Sequence, residues 1–147
     1  MRKLVLVVTA LGALGAGPAA LAAGGGVNIS GAPTLPLGVK VGHSHTLSVC
    51  GGYAEFWRIN LARGDQLRMT YGSKSGQPVQ ILVLAPSITD STVDHSGALD
   101  EAETFSQDEL DYSAPKAGRY TVELHTIFPC QPSIWYYLTA HVQHPKT

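Results

Sequence analysis

Phe56-Trp57-Arg58-Ile59-Asn60-Leu61, then Arg63-Gly64-Asp65, then Gln66-Leu67-Arg68-Met69-Thr70-Tyr71, is the stretch on which the fold turns. Trp57, Ile59 and Leu61 fall on one side of an extended chain, and Arg58 and Asn60 on the other. Leu67, Met69 and Tyr71 alternate in the same way with Gln66, Arg68 and Thr70. Side chains point to opposite faces of a strand with period two, so each segment reads as a strand with one buried face. Arg63-Gly64-Asp65 carries turn chemistry, and the two strands read as a hairpin.

The same period recurs on both sides. Val39-Lys40-Val41 begins a strand, Thr46 to Val49 continues or follows it, and Gly51-Gly52 turns the chain. Val79 to Leu84 is nearly all apolar, which predicts a strand buried on both faces and ended by Pro86. Residues 86 to 104 read as a polar loop, and Phe105 to Tyr112 as a weak strand. After the turn at Ala114-Pro115-Lys116-Ala117-Gly118, Tyr120, Val122 and Leu124 share one face of another strand. Pro129 and Pro132 bracket Cys130 in a loop. In the last strand Ile134, Tyr136, Leu138, Ala140 and Val142 oppose Trp135, Tyr137, Thr139 and His141. No window carries a helical period; the acidic stretch at 98 to 110 is the only candidate for a turn of helix. The expected fold is all-β, an antiparallel β-sandwich or jelly roll of about seven to eight strands.

The first residues read as an export signal. Arg2 and Lys3 precede an apolar run from Leu4 to Leu14, and Ala20-Leu21-Ala22 matches a small-residue cleavage pattern. The apolar run is shorter than the roughly 20 residues that cross a bilayer, and Gly15 and Pro18 break it off. The organisation expected is a signal at 1–22, a flexible Gly/Pro-rich leader at 23–38 and a single sandwich domain at 39–147. The whole chain has 10 Lys+Arg against 11 Asp+Glu, and without Arg2 and Lys3 the balance is 8 against 11. That acidic balance argues against nucleic acid and against an anionic membrane surface as partners. An exported chain meets an oxidising compartment, so Cys50 and Cys130 are expected to form one disulfide.

A family pattern runs through these residues. Phe56-Trp57-Arg58-Ile59-Asn60-Leu61 leads into Arg63-Gly64-Asp65-Gln66-Leu67-Arg68-Met69, and Ile81-Leu82-Val83-Leu84 ends at Ala85-Pro86. Then comes Tyr112-Ser113-Ala114-Pro115-Lys116-Ala117-Gly118-Arg119-Tyr120-Thr121-Val122-Glu123-Leu124. This order resembles the bacterial pre-peptidase C-terminal domain, a β-sandwich attached to many secreted proteins, over roughly residues 53 to 143. Gln77-Pro78-Val79-Gln80 stands where that family usually carries an Asp-rich stretch. The resemblance implies a non-enzymatic accessory or binding role, and it brings no catalytic residues with it.

Eight of the eleven acids lie between Asp90 and Asp111 with no Lys or Arg among them. Clustered carboxylates suit a hard cation, and some members of the resembled family bind calcium. Asp90, Asp94, Asp100, Glu101 and Glu103 are therefore the candidate Ca²⁺ ligands. Trp135 and Tyr137 lie opposite the aliphatic face of the last strand and are candidates for stacking on a sugar ring. His43 and His45 share a strand face and would chelate a transition metal only with a second pair such as His141 and His144. Arg63-Gly64-Asp65 is an adhesion-type tripeptide, but Gly-Asp is ordinary turn chemistry. No G-x-S-x-G elbow is present. The expectation is a secreted or periplasmic, non-catalytic binding module with an unknown protein or polysaccharide partner, the alternative being a carbohydrate-binding module.

Overall fold

The computed structural model describes residues 25–45, 53–73, 78–89, 98–104, 107–126 and 134–146. The expected signal at 1–22, Cys50, Cys130, Asp90 and Asp94 lie outside the described residues, as do the side chains of Glu103 and Trp135.

Eight strands form two four-stranded sheets. In chain order they are β1 (Val41–His45), β2 (Tyr53–Leu61), β3 (Gln66–Ser73), β4 (Val79–Leu84), β5 (Ala98–Thr104), β6 (Gln107–Ser113), β7 (Gly118–Thr126) and β8 (Ile134–Gln143). The first sheet runs β1-β8-β3-β6 and the second β2-β7-β4-β5, with all named pairs antiparallel. The fold is the expected all-β sandwich, and no helix occurs among the described residues. Only β4 and β5 follow one another within a sheet; every other connection passes between sheets.

The segment that decides the fold does not form a hairpin. β2 pairs with β7, whereas β3 pairs with β6 and β8. The Ala62–Asp65 turn, with Gly64 at φ 87°, carries the chain across from one sheet to the other. Trp57, Ile59 and Leu61 thus meet Leu67, Met69 and Tyr71 across a common core instead of lying beside them. A hairpin and a sheet-to-sheet crossing show the same period of two, so local pattern does not separate them.

The core between the sheets also takes Val79, Ile81 and Val83 from β4, Tyr120, Val122 and Leu124 from β7, and Tyr136, Leu138 and Ala140 from β8. Leu82 and Leu84 face the other way, into a second cluster with Phe56, Ile29 and Ala32. β4 is therefore buried on both faces, as its nearly all-apolar run predicts.

The partner of that second face corrects the expectation of a free leader at 23–38. Gly26 and Phe56 exchange both backbone hydrogen bonds at 2.9 Å, the Leu35 N–H donates to Arg58 O at 2.8 Å, and the Arg58 N–H donates to Pro33 O at 2.8 Å. The segment adds itself to the otherwise open edge of β2, a common way of covering a strand edge. Ile29 and Ala32 close over the second sheet, and Leu35 enters the main core. The Arg58 guanidinium donates to the carbonyls of Ile29 and Ser30 and fixes the bend between them. Three apolar residues hidden in a Gly/Pro-rich stretch carry this packing, because a composition dominated by turn formers masks them.

The polar loop expected at 86–104 is likewise shorter, since Ala98–Thr104 pairs with β4 as an edge strand. Among the described residues the acidic run at 98–110 is extended, on β5 and β6, and forms no helical turn. Glu101, Asp108 and Glu109 are exposed at the sandwich edge, and the alternation of Glu109 and Asp111 with Leu110 and Tyr112 suits a strand.

Candidate functional site

The outer face of the second sheet is sealed by the chain's own N-terminal segment. The outer face of the first sheet carries no such cover among the described residues. Strand register places its side chains in rows. Ser113, Gln66 and Gln143 form one row; Asp111, Arg68 and His141 the next; Glu109, Thr70 and Thr139 the third; Gln107, Gly72 and Tyr137 the fourth.

The charged row is held by a forked pair. Arg68 Nε donates to Asp111 Oδ1 at 2.7 Å and its Nη2 to Asp111 Oδ2 at 3.0 Å. Both side chains are more than half exposed, so the pair orients the face more than it stabilises the fold. Hydrogen bonding to Arg68 holds the Asp111 carboxyl below its usual range, and the same bond raises the guanidinium further. Gln66 Nε2 donates to Ser113 Oγ at 2.8 Å in the adjacent row. Gln66, Arg68, Asp111, His141, Val142 and Gln143 line a shallow groove across these strands.

Tyr137 closes the other end of the face. Gly42 and Gly72 are its cross-strand neighbours on β1 and β3. Its hydroxyl donates to Gln107 Oε1 at 2.7 Å, so the ring reaches across β3, over Gly72, to β6. Lys40 Nζ stands 4.0 Å from the ring centroid, within cation–π range. The face is broad and polar, and the groove crosses its charged row. Its chemistry is that of multiple hydrogen bonds and one rigid ion pair.

No protein-family profile and no curated protein sequence matches the chain. Among solved structures it is similar to the pre-peptidase C-terminal domain of collagenase from Bacillus anthracis, at a TM-score of 0.53 and 13% identity over 74% of this chain and 93% of that one. The fold is of the pre-peptidase C-terminal type. The chain is similar also to PliG from Aeromonas hydrophila, a periplasmic lysozyme inhibitor of g-type lysozyme, at a TM-score of 0.55 and 14% identity over 76% of this chain and 94% of that one.

Of the acids singled out by sequence, Asp100 and Glu101 are described with their side chains. Asp100 and Glu101 are consecutive on β5 and so point to opposite faces. Glu101 accepts from Gln80 Nε2 at 3.4 Å, and Asp100 Oδ1 accepts from the Glu101 N–H at 3.0 Å. No three His, Cys, Asp or Glu side chains among the described residues are placed to hold a metal ion. Tyr137 does stand on the open face, and the Trp135 backbone lies two residues along the same strand, opposite Ser44.

The histidine pairs do not meet. His43 and His45 stand opposite Tyr136 and Ile134. Tyr136 is five residues from His141 along β8, roughly 16 Å of strand. The Arg63-Gly64-Asp65 tripeptide is a structural turn: Asp65 is 2% exposed, and its carboxylate accepts from the Ala62 N–H and contacts His144 Nδ1, each at 2.8 Å.

The residues that sequence reading missed are Arg68 and Asp111. Alternation puts both on outward faces, but they are 43 positions apart, and nothing short of the β3–β6 register joins them.

Proposed function

We propose that this chain is an exported, non-catalytic module that binds a protein outside the cytoplasm through the open face of its first sheet. The observation that carries this is the contrast between the two outer faces. One is closed by the chain's own residues; the other is a polar four-strand surface centred on Arg68 and Asp111, with Thr70, Thr139 and His141 beside them. A broad, polar face that carries an ion pair and cross-strand hydrogen bonds suits another protein's surface. Similarity to a periplasmic lysozyme inhibitor supports both the protein partner and the compartment. The acidic balance after signal removal is consistent with a cationic partner.

The test is photo-crosslinking in exporting cells, with the probe in place of Thr70, Thr139 or Val27. Discrete protein adducts are expected from positions 70 and 139, and they should vanish when Arg68→Glu is added. Adducts from position 27 alone, or none from 70 and 139, would remove the proposal. A g-type lysozyme is the first purified protein to offer.

A carbohydrate-binding module built on Trp135 and Tyr137 is the second reading, favoured by the placement of Tyr137 on the open face. Lys40 already occupies one side of that ring, which leaves less of it for a sugar. Retardation on polysaccharide gels that is abolished by Tyr137→Ala would support it. Calcium on the 90–103 acids is a separate proposal, and calorimetry that shows no heat at millimolar Ca²⁺ would end it.

A further inference from the structure

The open face of the first sheet carries its charge as a gradient across the strands. Glu109 and Asp111 are exposed on β6, at one edge. Arg68 follows on β3 and His141 on β8. Lys40 stands at the other edge. Val41 pairs with Leu138 and is turned into the core, so the residue before it continues opposite Thr139 and faces outward. Its Nζ over the Tyr137 ring agrees with that placement. The third row thus reads Glu109, Thr70, Thr139, Lys40, with a carboxylate at one end and an ammonium at the other. Such a face is complementary to itself. Turned over about an axis along the strands, between β3 and β8, each row falls on its own copy in reverse order. Glu109 then meets the partner's Lys40, Thr70 the partner's Thr139, and Gln66 the partner's Gln143. Two-fold symmetry makes every such contact twice. An axis across the strands lays the third row on the second instead, and sets Glu109 against the partner's Asp111, acid on acid.

We propose that the open face is the contact surface of a homodimer, one copy laid on the other about the axis along the strands, with Glu109 and Lys40 as the reciprocal charge pair. Arg68 and Asp111 already satisfy each other at 2.7 Å, so this fork can be covered without leaving a charge unpaired. The size of the face sets the strength. Four strands about 4.8 Å apart and four rows about 6.8 Å apart give roughly 500 Å² per copy, or about 1,000 Å² together, the low end for a specific interface. A polar contact of that size makes a weak, reversible dimer, with Kd in the range of roughly 10 μM to 1 mM. The dimer stands apart from the binding of another protein. Its consequence rests on that reading: the second copy masks the face until a tighter partner displaces it.

Sedimentation equilibrium of the purified exported protein, from about 5 μM to about 1 mM, tests the dimer. Wild type is expected to dimerise over that range, and less so as salt screens the charge pairs. Lys40→Glu and Glu109→Lys should each weaken the dimer at least about tenfold, since either change makes both symmetry-related contacts repulsive. An equimolar mixture of the two variants should recover it, because each then offers the charge that the other needs. Thermal unfolding checks that both variants are folded. Should one not be, Lys40→Gln and Glu109→Gln should each weaken the dimer about threefold, through loss of the pair alone. A chain that stays monomeric at about 1 mM would overturn the proposal and leave the binding of another protein standing. A dimer indifferent to these substitutions, or one that the mixture fails to restore, would overturn it too. The crosslinks at positions 70 and 139 keep the two readings apart: an adduct of twice the chain's mass is the homodimer, and any other mass is another protein.

Discussion

Leu82→Ala separates a sandwich with one covered outer face from a sandwich with two bare ones. Leu82 points away from the intersheet core, into the cluster it shares with Ile29, Ala32, Phe56 and Leu84, and it is 0% exposed. On a bare outer face such a position is a surface site, where truncation changes stability by about 0.5 kcal/mol or less. Beneath the segment at 25–35 it is a core site. Loss of the isobutyl group then forfeits its transfer free energy and leaves a cavity, together about 2–5 kcal/mol. Against a total of roughly 5–15 kcal/mol that is a large fraction, and in a chain of this size it lowers Tm by roughly 10 °C. Urea denaturation of the processed protein, with thermal unfolding alongside, measures it. Ile29→Ala should cost less than Leu82→Ala, since Ile29 remains 6% exposed, and the double variant should fall short of additivity by about 0.5–3 kcal/mol because the two share one cluster. A Leu82→Ala protein within about 0.5 kcal/mol of wild type would refute the cover.

Two predictions concern pH and one concerns redox state. The Ala62 N–H, then His144, hold the Asp65 carboxyl below its ordinary value. A depressed folded-state pKa means stability that is present above about pH 4 and lost as pH falls through the lower folded value. The acid limb of a Tm–pH profile should therefore flatten in Asp65→Asn, and an unchanged limb would contradict the role given to this turn. Burial, then the neighbouring Tyr120 ring, packed edge-on at 5.7 Å, pushes the Tyr112 hydroxyl up to about 12. A raised folded pKa gives stability that is complete below the unfolded value near 10 and is lost as pH rises between there and about 12. Tyr112→Phe should remove that alkaline slope, and ultraviolet titration of the folded variant should lose one late-ionising tyrosine relative to wild type. Finally, His45 pairs with Ile134 and Tyr53 with Thr126. The connections that carry Cys50 and Cys130 thus leave paired residues at one end of the sandwich. No thiol should label in the unreduced exported protein, and reduction should cost about 4–5 kcal/mol for a loop of roughly 80 residues; two labelled thiols would rule the bridge out.

Legibility in the sequence differed from element to element, for physical reasons. Alternation in Tyr120-Thr121-Val122-Glu123-Leu124 and along β8 showed which side chains turn inward, because period two is a local property of an extended chain. The apolar run of β4 announced burial on both faces. Ala98–Thr104 was hidden because an edge strand buries little and carries acids. Ile29, Ala32 and Leu35 were hidden among turn formers. On the open face, alternation shows that Tyr137, Arg68 and Asp111 each point outward, but only the strand register brings Arg68 and Asp111 together.

By itself, then, the order of residues determined the class of fold, the inward face of most strands and the turn at Gly64. Which sheet each strand joins was decided by tertiary structure. The turn after β2 serves a hairpin or a crossing equally well, and only burial of Trp57 against the far sheet chooses between them. The same holds for function. Whether a sheet face is open or closed depends on where a distant segment comes to rest, here Gly25 to Leu35 on β2, and no local period records that.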